Sequence, residues 1–179
     1  TELTLTPETV KFGQTAALVA GGGDGTGAYT VEIIEGGTGA ATLNGTALTP
    51  TAVGTVKVRV TRAAGGNYKA ASREFTINIT KGSAPALTIG NFTYRYTKDG
   101  RKVESLPTGM PADAGTISWS FEVVNDPNSI ISGGSVSLGT DGRFVFDIAA
   151  GKAAGSAATI KATAASDNYA SAEVTFTVT

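Results

Sequence analysis

One phrase occurs twice in this chain, and each time it reads as a β-hairpin. The first copy runs from Gly54-Thr-Val-Lys-Val-Arg-Val-Thr-Arg62 through Asn67-Tyr68 to Glu74-Phe-Thr-Ile-Asn-Ile-Thr80. The second runs from Gly155-Ser-Ala-Ala-Thr-Ile-Lys-Ala-Thr163 through Asn168-Tyr169 to Glu173-Val-Thr-Phe-Thr-Val-Thr179. Each copy is an alternating strand, a turn of small residues closed by Asn-Tyr, and a second alternating strand, the form of the last hairpin of an all-β domain. Asn168 follows Asn67 by 101 residues, so a chain of 179 residues has room for two such domains in tandem.

That spacing matches a sandwich of the immunoglobulin type, which needs about 100 residues. The expected fold is therefore all-β, with two tandem immunoglobulin-like β-sandwich domains over residues 1–82 and 83–179. Lys81-Gly-Ser-Ala-Pro-Ala86 has the composition of a linker, with Pro85 favouring extended chain on its N-terminal side. Hydrophobic residues make up 41% of the chain and there are 24 glycines, too apolar for disorder and suited to short strands joined by tight turns. Alternation places Val56, Val58 and Val60 inward with Lys57 and Arg59 outward, and puts Tyr29, Val31 and Ile33 on one face of another strand. It also predicts a strand over Phe92–Tyr96, a turn over Thr97–Arg101, and a strand over Ile117–Val123 whose Trp119 belongs in the core.

Composition excludes several chemistries. With 14 basic and 15 acidic residues the net charge is −1, and no basic field exists to collect a phosphate backbone, so nucleic-acid binding is not expected. The absence of cysteine rules out a disulfide-stapled sandwich. Without histidine there is no His-dependent triad and no imidazole or thiolate zinc site. The carboxylates alternate with apolar residues on strands or sit in turns, and no pair can be singled out for acid–base catalysis. No enzyme activity, cofactor or metal is therefore expected. No stretch approaches the roughly 20 apolar residues of a membrane-spanning helix, and no signal peptide precedes Thr1 in this sequence.

The candidate sites are few. Gly21-Gly-Gly-Asp-Gly-Thr-Gly27 lacks the Lys-Ser/Thr ending of a phosphate loop and is expected to be a flexible turn. Asn125-Asp-Pro-Asn128 has oxygen donors but a single carboxylate, so a turn is expected rather than a calcium site. Lys57 and Lys161 alternate with apolar neighbours, which places them on solvated faces rather than in a buried crosslink. Phe92, Tyr94, Tyr96 and Trp119 could stack on a sugar or fill a core; Trp119 fits the core, and Tyr94 and Tyr96 remain as possible ligand-binding residues. Tyr68 and Tyr169 are expected to cap each core with the ring buried and the hydroxyl bonded to backbone, since a repeated position serves the repeated fold.

The phrases Gly54–Ala71, Gly37-Thr-Gly-Ala-Ala-Thr42, Pro111-Ala-Asp-Ala-Gly-Thr116 and Asn168-Tyr-Ala-Ser-Ala172 resemble those of tandem immunoglobulin-like repeats in cell-surface proteins of Gram-positive, often gut-dwelling, bacteria. They cover much of both halves and specify a module better than a ligand. The resemblance implies a non-enzymatic stalk segment of a secreted or wall-attached surface protein, or else an adhesin module that binds host glycan or protein. It also implies an extracellular location and neighbouring domains of the same protein as partners. Leu106-Pro-Thr-Gly109 lacks the residue that a sortase signal has between Pro and Thr, and reads as a loop.

Overall fold

The computed structural model describes residues 1–94 and 100–179. It falls into two compact units, Thr1–Gly82 and Ser83–Thr179. Among the described residues all regular structure is β-strand.

In the first unit the chain forms β1 (Leu3–Thr6), β2 (Thr9–Lys11), β3 (Ala16–Ala17), β4 (Val19–Gly22), β5 (Tyr29–Ile34), β6 (Ala40–Asn44), β7 (Ala47–Ala52), β8 (Gly54–Arg62) and β9 (Ala71–Thr80). One sheet has the order β2-β9-β8-β5. Opposite it, β3-β7-β6 is extended by β1, which pairs with β4, the continuation of β3 beyond the buried Leu18. Pro7 follows the end of β1, and the chain then crosses to lie parallel to β9 as β2. The alternation in β8 holds. Val58 and Val60 are fully buried, as are Ile77 and Ile79 of β9, while Arg59 on the opposite face reaches Glu32 at 3.3 Å and Glu74 at 2.9 Å on the two flanking strands. These ion pairs are exposed, so they align strands more than they stabilise them. Val31 is half-buried on β5, but Tyr29 and Ile33 are exposed because β5 is a sheet edge with a neighbour on one side only.

The second unit forms β10 (Gly100–Glu104), β11 (Ile117–Asn125), β12 (Ile131–Leu138), β13 (Phe144–Ile148), β14 (Ala158–Ser166) and β15 (Ala172–Val178). The sheets are β10-β13-β12 and β11-β14-β15. Residues around Phe92 differ from the expected long strand. Phe92 makes one parallel bridge to Val178, through Phe92 N–H to Thr177 O and Thr179 N–H to Phe92 O, both 2.9 Å, so this segment flanks β15 as β2 flanks β9. Tyr96 and the first part of the turn expected over Thr97–Arg101 lie outside the described residues, while Gly100 and Arg101 already belong to β10. The core is aromatic: Phe144, Phe146 and Phe176 are at most 2% exposed, and Phe92, Tyr94, Phe121 and Trp119 pack against them or their neighbours. In β11 the expected face is the inward one, with Trp119, Phe121 and Val123 half-buried and Ser118, Ser120 and Glu122 exposed; Ile117, at the strand's start, is itself exposed.

The two hairpins are out of phase by one residue. Aligned on Asn-Tyr, Arg59 matches Ile160, yet by burial Val58 corresponds to Ile160 and Arg59 to Lys161. The cause is the turn. Pairing closes at Arg62↔Ala71 in the first unit, leaving residues 63–70, and at Ala164↔Ala172 in the second, leaving 165–171, one fewer.

This shift corrects the expectation for the two tyrosines. Tyr68 is 55% exposed and caps nothing. Tyr169 is half-buried, and its hydroxyl donates to the Asp113 carboxylate at 3.0 Å rather than to backbone. Beside it Asn168 is buried, with Nδ2 donating to Asp113 O at 2.8 Å and its own N–H to Ala114 O at 3.1 Å. Only in the second unit does the Asn-Tyr turn clamp the segment that leads into the β11 strand, and the extra residue of the first turn carries Asn67 and Tyr68 outward.

Candidate functional site

Three places on the described surface carry enough polar or aromatic chemistry to be weighed as sites. The first is the glycine run. Gly21 and Gly22 belong to β4, and the segment after them is held by Arg62 at the end of β8 rather than left as a free turn. The Arg62 guanidinium donates to Gly22 O at 2.7 Å, Gly23 O at 3.0 Å, the Tyr29 hydroxyl at 3.0 Å and Gly25 O. Its plane lies 5.0 Å from the centre of the Tyr29 ring, a cation–π contact. Glycine is required here by close approach: a Cβ on Gly22 would stand 1.9 Å from Glu2 O, at a φ of +73° that side chains avoid. The terminal N–H groups of Arg62 are thus turned onto the fold, while its buried Nε has no hydrogen-bond partner.

The second place is Asn125–Asn128. Asp126 accepts from Ile130 N–H at 2.8 Å through one carboxylate oxygen and from Ile131 N–H at 2.9 Å through the other. Both oxygens are committed to closing the turn into β12, the local side-chain-to-backbone bonding that aspartate favours. Among the described residues no group of three acidic side chains is placed to hold a metal ion.

The third place is a cleft of about 250 Å³ in the second unit, where Tyr94 lies. Apolar side chains of Ile130, Ile148 and Val178 form its floor, Tyr94 one wall, and Lys102 and Lys152 supply its charge. Tyr94 is half-buried and fixed on every side. Its ring stacks on Phe92 at 6.5 Å and meets Phe146 edge-on at 5.9 Å, its hydroxyl donates to Glu104 at 2.6 Å, and the Lys102 ammonium sits 4.9 Å above the ring centre. Burial, and then the Glu104 carboxylate, push the Tyr94 hydroxyl far above its ordinary range, so it stays protonated as the donor. Tyr96, the other residue expected to bind ligand, lies outside the described residues.

Sequence reasoning missed Lys102 and Glu104. Both stand on the Phe146 and Phe144 side of the sheet, because β10 pairs with β13 in the register Lys102↔Phe146 and Glu104↔Phe144. Gly-Arg-Lys-Val-Glu has no apolar alternation from which that facing could be read. Lys161 is where it was expected, on the solvated face, reaching Glu122 at 2.8 Å and Glu173 at 4.0 Å. Those carboxylates raise its pKa, keeping it a charged partner rather than a nucleophile.

In each unit, a sheet holding the first strand's return beside the last hairpin and the third strand packs on a sheet of the second, fifth and fourth strands. That is the arrangement of an immunoglobulin-like β-sandwich. No protein-family model matches the chain, and no curated protein matches it. Among solved structures, an I-band fragment from titin aligns with 99% of this chain at 12% identity and a TM-score of 0.45, and mouse cadherin-23 with 98% at 14% identity and a TM-score of 0.35. The chain spans 65% of each of those two structures. Murine CEACAM1b is matched over its whole length, at 11% identity and a TM-score of 0.37. The fold assignment rests on the strand order and register, not on these distant likenesses.

Proposed function

We propose that the chain is a non-enzymatic structural segment of a secreted or wall-attached bacterial surface protein, and that its two units are independently folding domains with a boundary near Gly82. The observation that carries this reading is where the rings and hydroxyls go. In the second unit the phenylalanines meet one another in the interior, with centroids 5.1–5.9 Å apart around Phe144. Hydrogen-bonded threonine pairs, Thr15–Thr49 and Thr88–Thr108 at 2.9 Å and Thr38–Thr55 at 3.1 Å, cover exposed positions instead. Such polar faces suit a spacer, which needs solubility and stiffness and no apolar patch. The described cleft has no acidic side chain in its lining, so it lacks the paired carboxylates of a glycosidase. The partners of a spacer are the neighbouring domains of its own protein.

A second reading, an adhesin module for host glycan or protein, is favoured by Tyr68, an exposed ring on the turn of the first unit. A glycan array probed with the whole chain separates the two. A spacer gives no specific signal, and reproducible binding that Tyr68→Ala abolishes would replace the spacer with the adhesin.

A further inference from the structure

The Tyr94 cleft combines an apolar floor with an ammonium that has no acidic partner among the described residues. Lys102 is half-buried, and its ammonium sits 4.9 Å from the centre of the Tyr94 ring. A ring quadrupole attracts a cation but does not neutralise it, and it leaves the three N–H donors without oxygen acceptors. Glu104 is two residues away on the same strand face and one of its carboxylate oxygens accepts from the Tyr94 hydroxyl at 2.6 Å, but it makes no ion pair with Lys102. A second lysine, Lys152, lines the same space, and the other polar lining atoms come from Thr93, Ser156 and Thr179. A half-buried positive charge in the lining of an apolar hollow is the complement of an amphipathic anion.

We infer that this cleft is a binding site for a small amphipathic carboxylate, its anionic head on Lys102 and its apolar body over Ile130, Ile148 and Val178. The size fits. At about 250 Å³ the cleft lies below the roughly 300–1,000 Å³ of sites for drug-sized ligands, so it takes a short aliphatic or single-ring acid and not an oligosaccharide. Tyr94 is the residue that orients the site. Phe92 and Phe146 pack against its ring, Glu104 accepts from its hydroxyl, and the ring in turn holds the ammonium in the lining before any ligand arrives. Such preorganisation lowers the ordering cost of binding.

The test titrates the whole chain with octanoate, using calorimetry and the NMR shifts of the Ile130 and Ile148 methyls and the Gly155 amide. Saturable binding at these residues is expected, weaker by at least about tenfold for 1-octanol, which lacks the charge, and for acetate, which lacks the body. Lys102→Met should reduce octanoate affinity by about the same factor and leave octanol unchanged. Lys102→Gln serves the same purpose should the Met variant not fold, as judged by its melting curve. Octanol binding as tightly as octanoate, either variant binding octanoate like the parent, or no shift at the cleft with millimolar octanoate would each overturn the assignment.

Discussion

Replacing Phe144 probes both the aromatic core and the separateness of the two units. Its side chain is fully buried and meets four rings, Phe92 at 5.8 Å, Phe121 at 5.1 Å, Phe146 at 5.9 Å and Phe176 at 5.4 Å. Truncating a core Phe to Ala costs about 3–5 kcal/mol, and ring pairs add about 0.5–1.5 kcal/mol each beyond area burial, so Phe144→Ala belongs at the top of that range. A unit spanning Ser83–Thr179 has a total stability of about 5–15 kcal/mol, so the Ala variant sits near the unfolding limit. Phe144→Leu is the measurable form. It loses the ring pairing but keeps much of the volume, at a cost of about 2 kcal/mol, or about 8–16 °C in Tm for a unit of this size. Trp119 is the single tryptophan and lies in the same unit, so its fluorescence reports that unit alone, while far-UV circular dichroism reports both. The fluorescence midpoint should fall by that amount and leave a dichroism transition from the first unit in place. A shift under about 2 °C would refute the core assignment, because a ring packed among four others cannot be replaced so cheaply. One dichroism transition that moves as a whole would refute the separateness.

Arg62→Ala strips the donor from the carbonyls of Gly22, Gly23 and Gly25, and should cost about 1–3 kcal/mol and speed amide exchange over residues 22–28; unchanged exchange there would mean that Arg62 does not hold the loop. Tyr94 has a raised pKa in the folded state, so the neutral hydroxyl contributes stability that is complete below the unfolded value of about 10 and is lost as pH rises above it. The second unit should lose stability from about pH 10 upward, and Tyr94→Phe should flatten that loss; an equal loss in the Phe variant would assign it to other groups. Asp126→Ala removes the acceptor of two backbone N–H groups and should cost about 1–2 kcal/mol, as loss of a capping residue does, while calcium and chelator leave the melt of the parent chain unchanged; a calcium-dependent rise in Tm would reopen Asn125–Asn128 as a metal site.

What could be read in advance follows from how local each signal is. Val56, Val58 and Val60, or Trp119, Phe121 and Val123, declare their inward face by alternation with charged or small polar residues, because a one-residue slip would bury the wrong set. The phase of the repeat was not readable. Identical Asn-Tyr dipeptides conceal turns that differ by one residue, and the pleat converts that difference into an exposed Tyr68 and a hydrogen-bonded Tyr169. The candidate cleft was half-readable. Tyr94 stood out as an aromatic at an ambiguous position, whereas Lys102 and Glu104 face the core side only because of their register with β13, a pairing across some forty residues of chain. Arg62 was hidden for the same reason, since its partners Gly22–Gly25 and Tyr29 come from another part of the sheet edge.

The central claim is that this chain is two self-sufficient immunoglobulin-like modules, and the most direct measurement compares residues 1–82 and 83–179, expressed apart, with the whole chain by amide NMR correlation spectra. The account predicts that each half gives a dispersed β-sheet spectrum and a cooperative melt, and that the two spectra superpose on that of the whole chain except near Lys81–Ala86. A half that is collapsed or unfolded alone, or core amides such as those of Val58 or Phe144 that shift when the other half is removed, would contradict it.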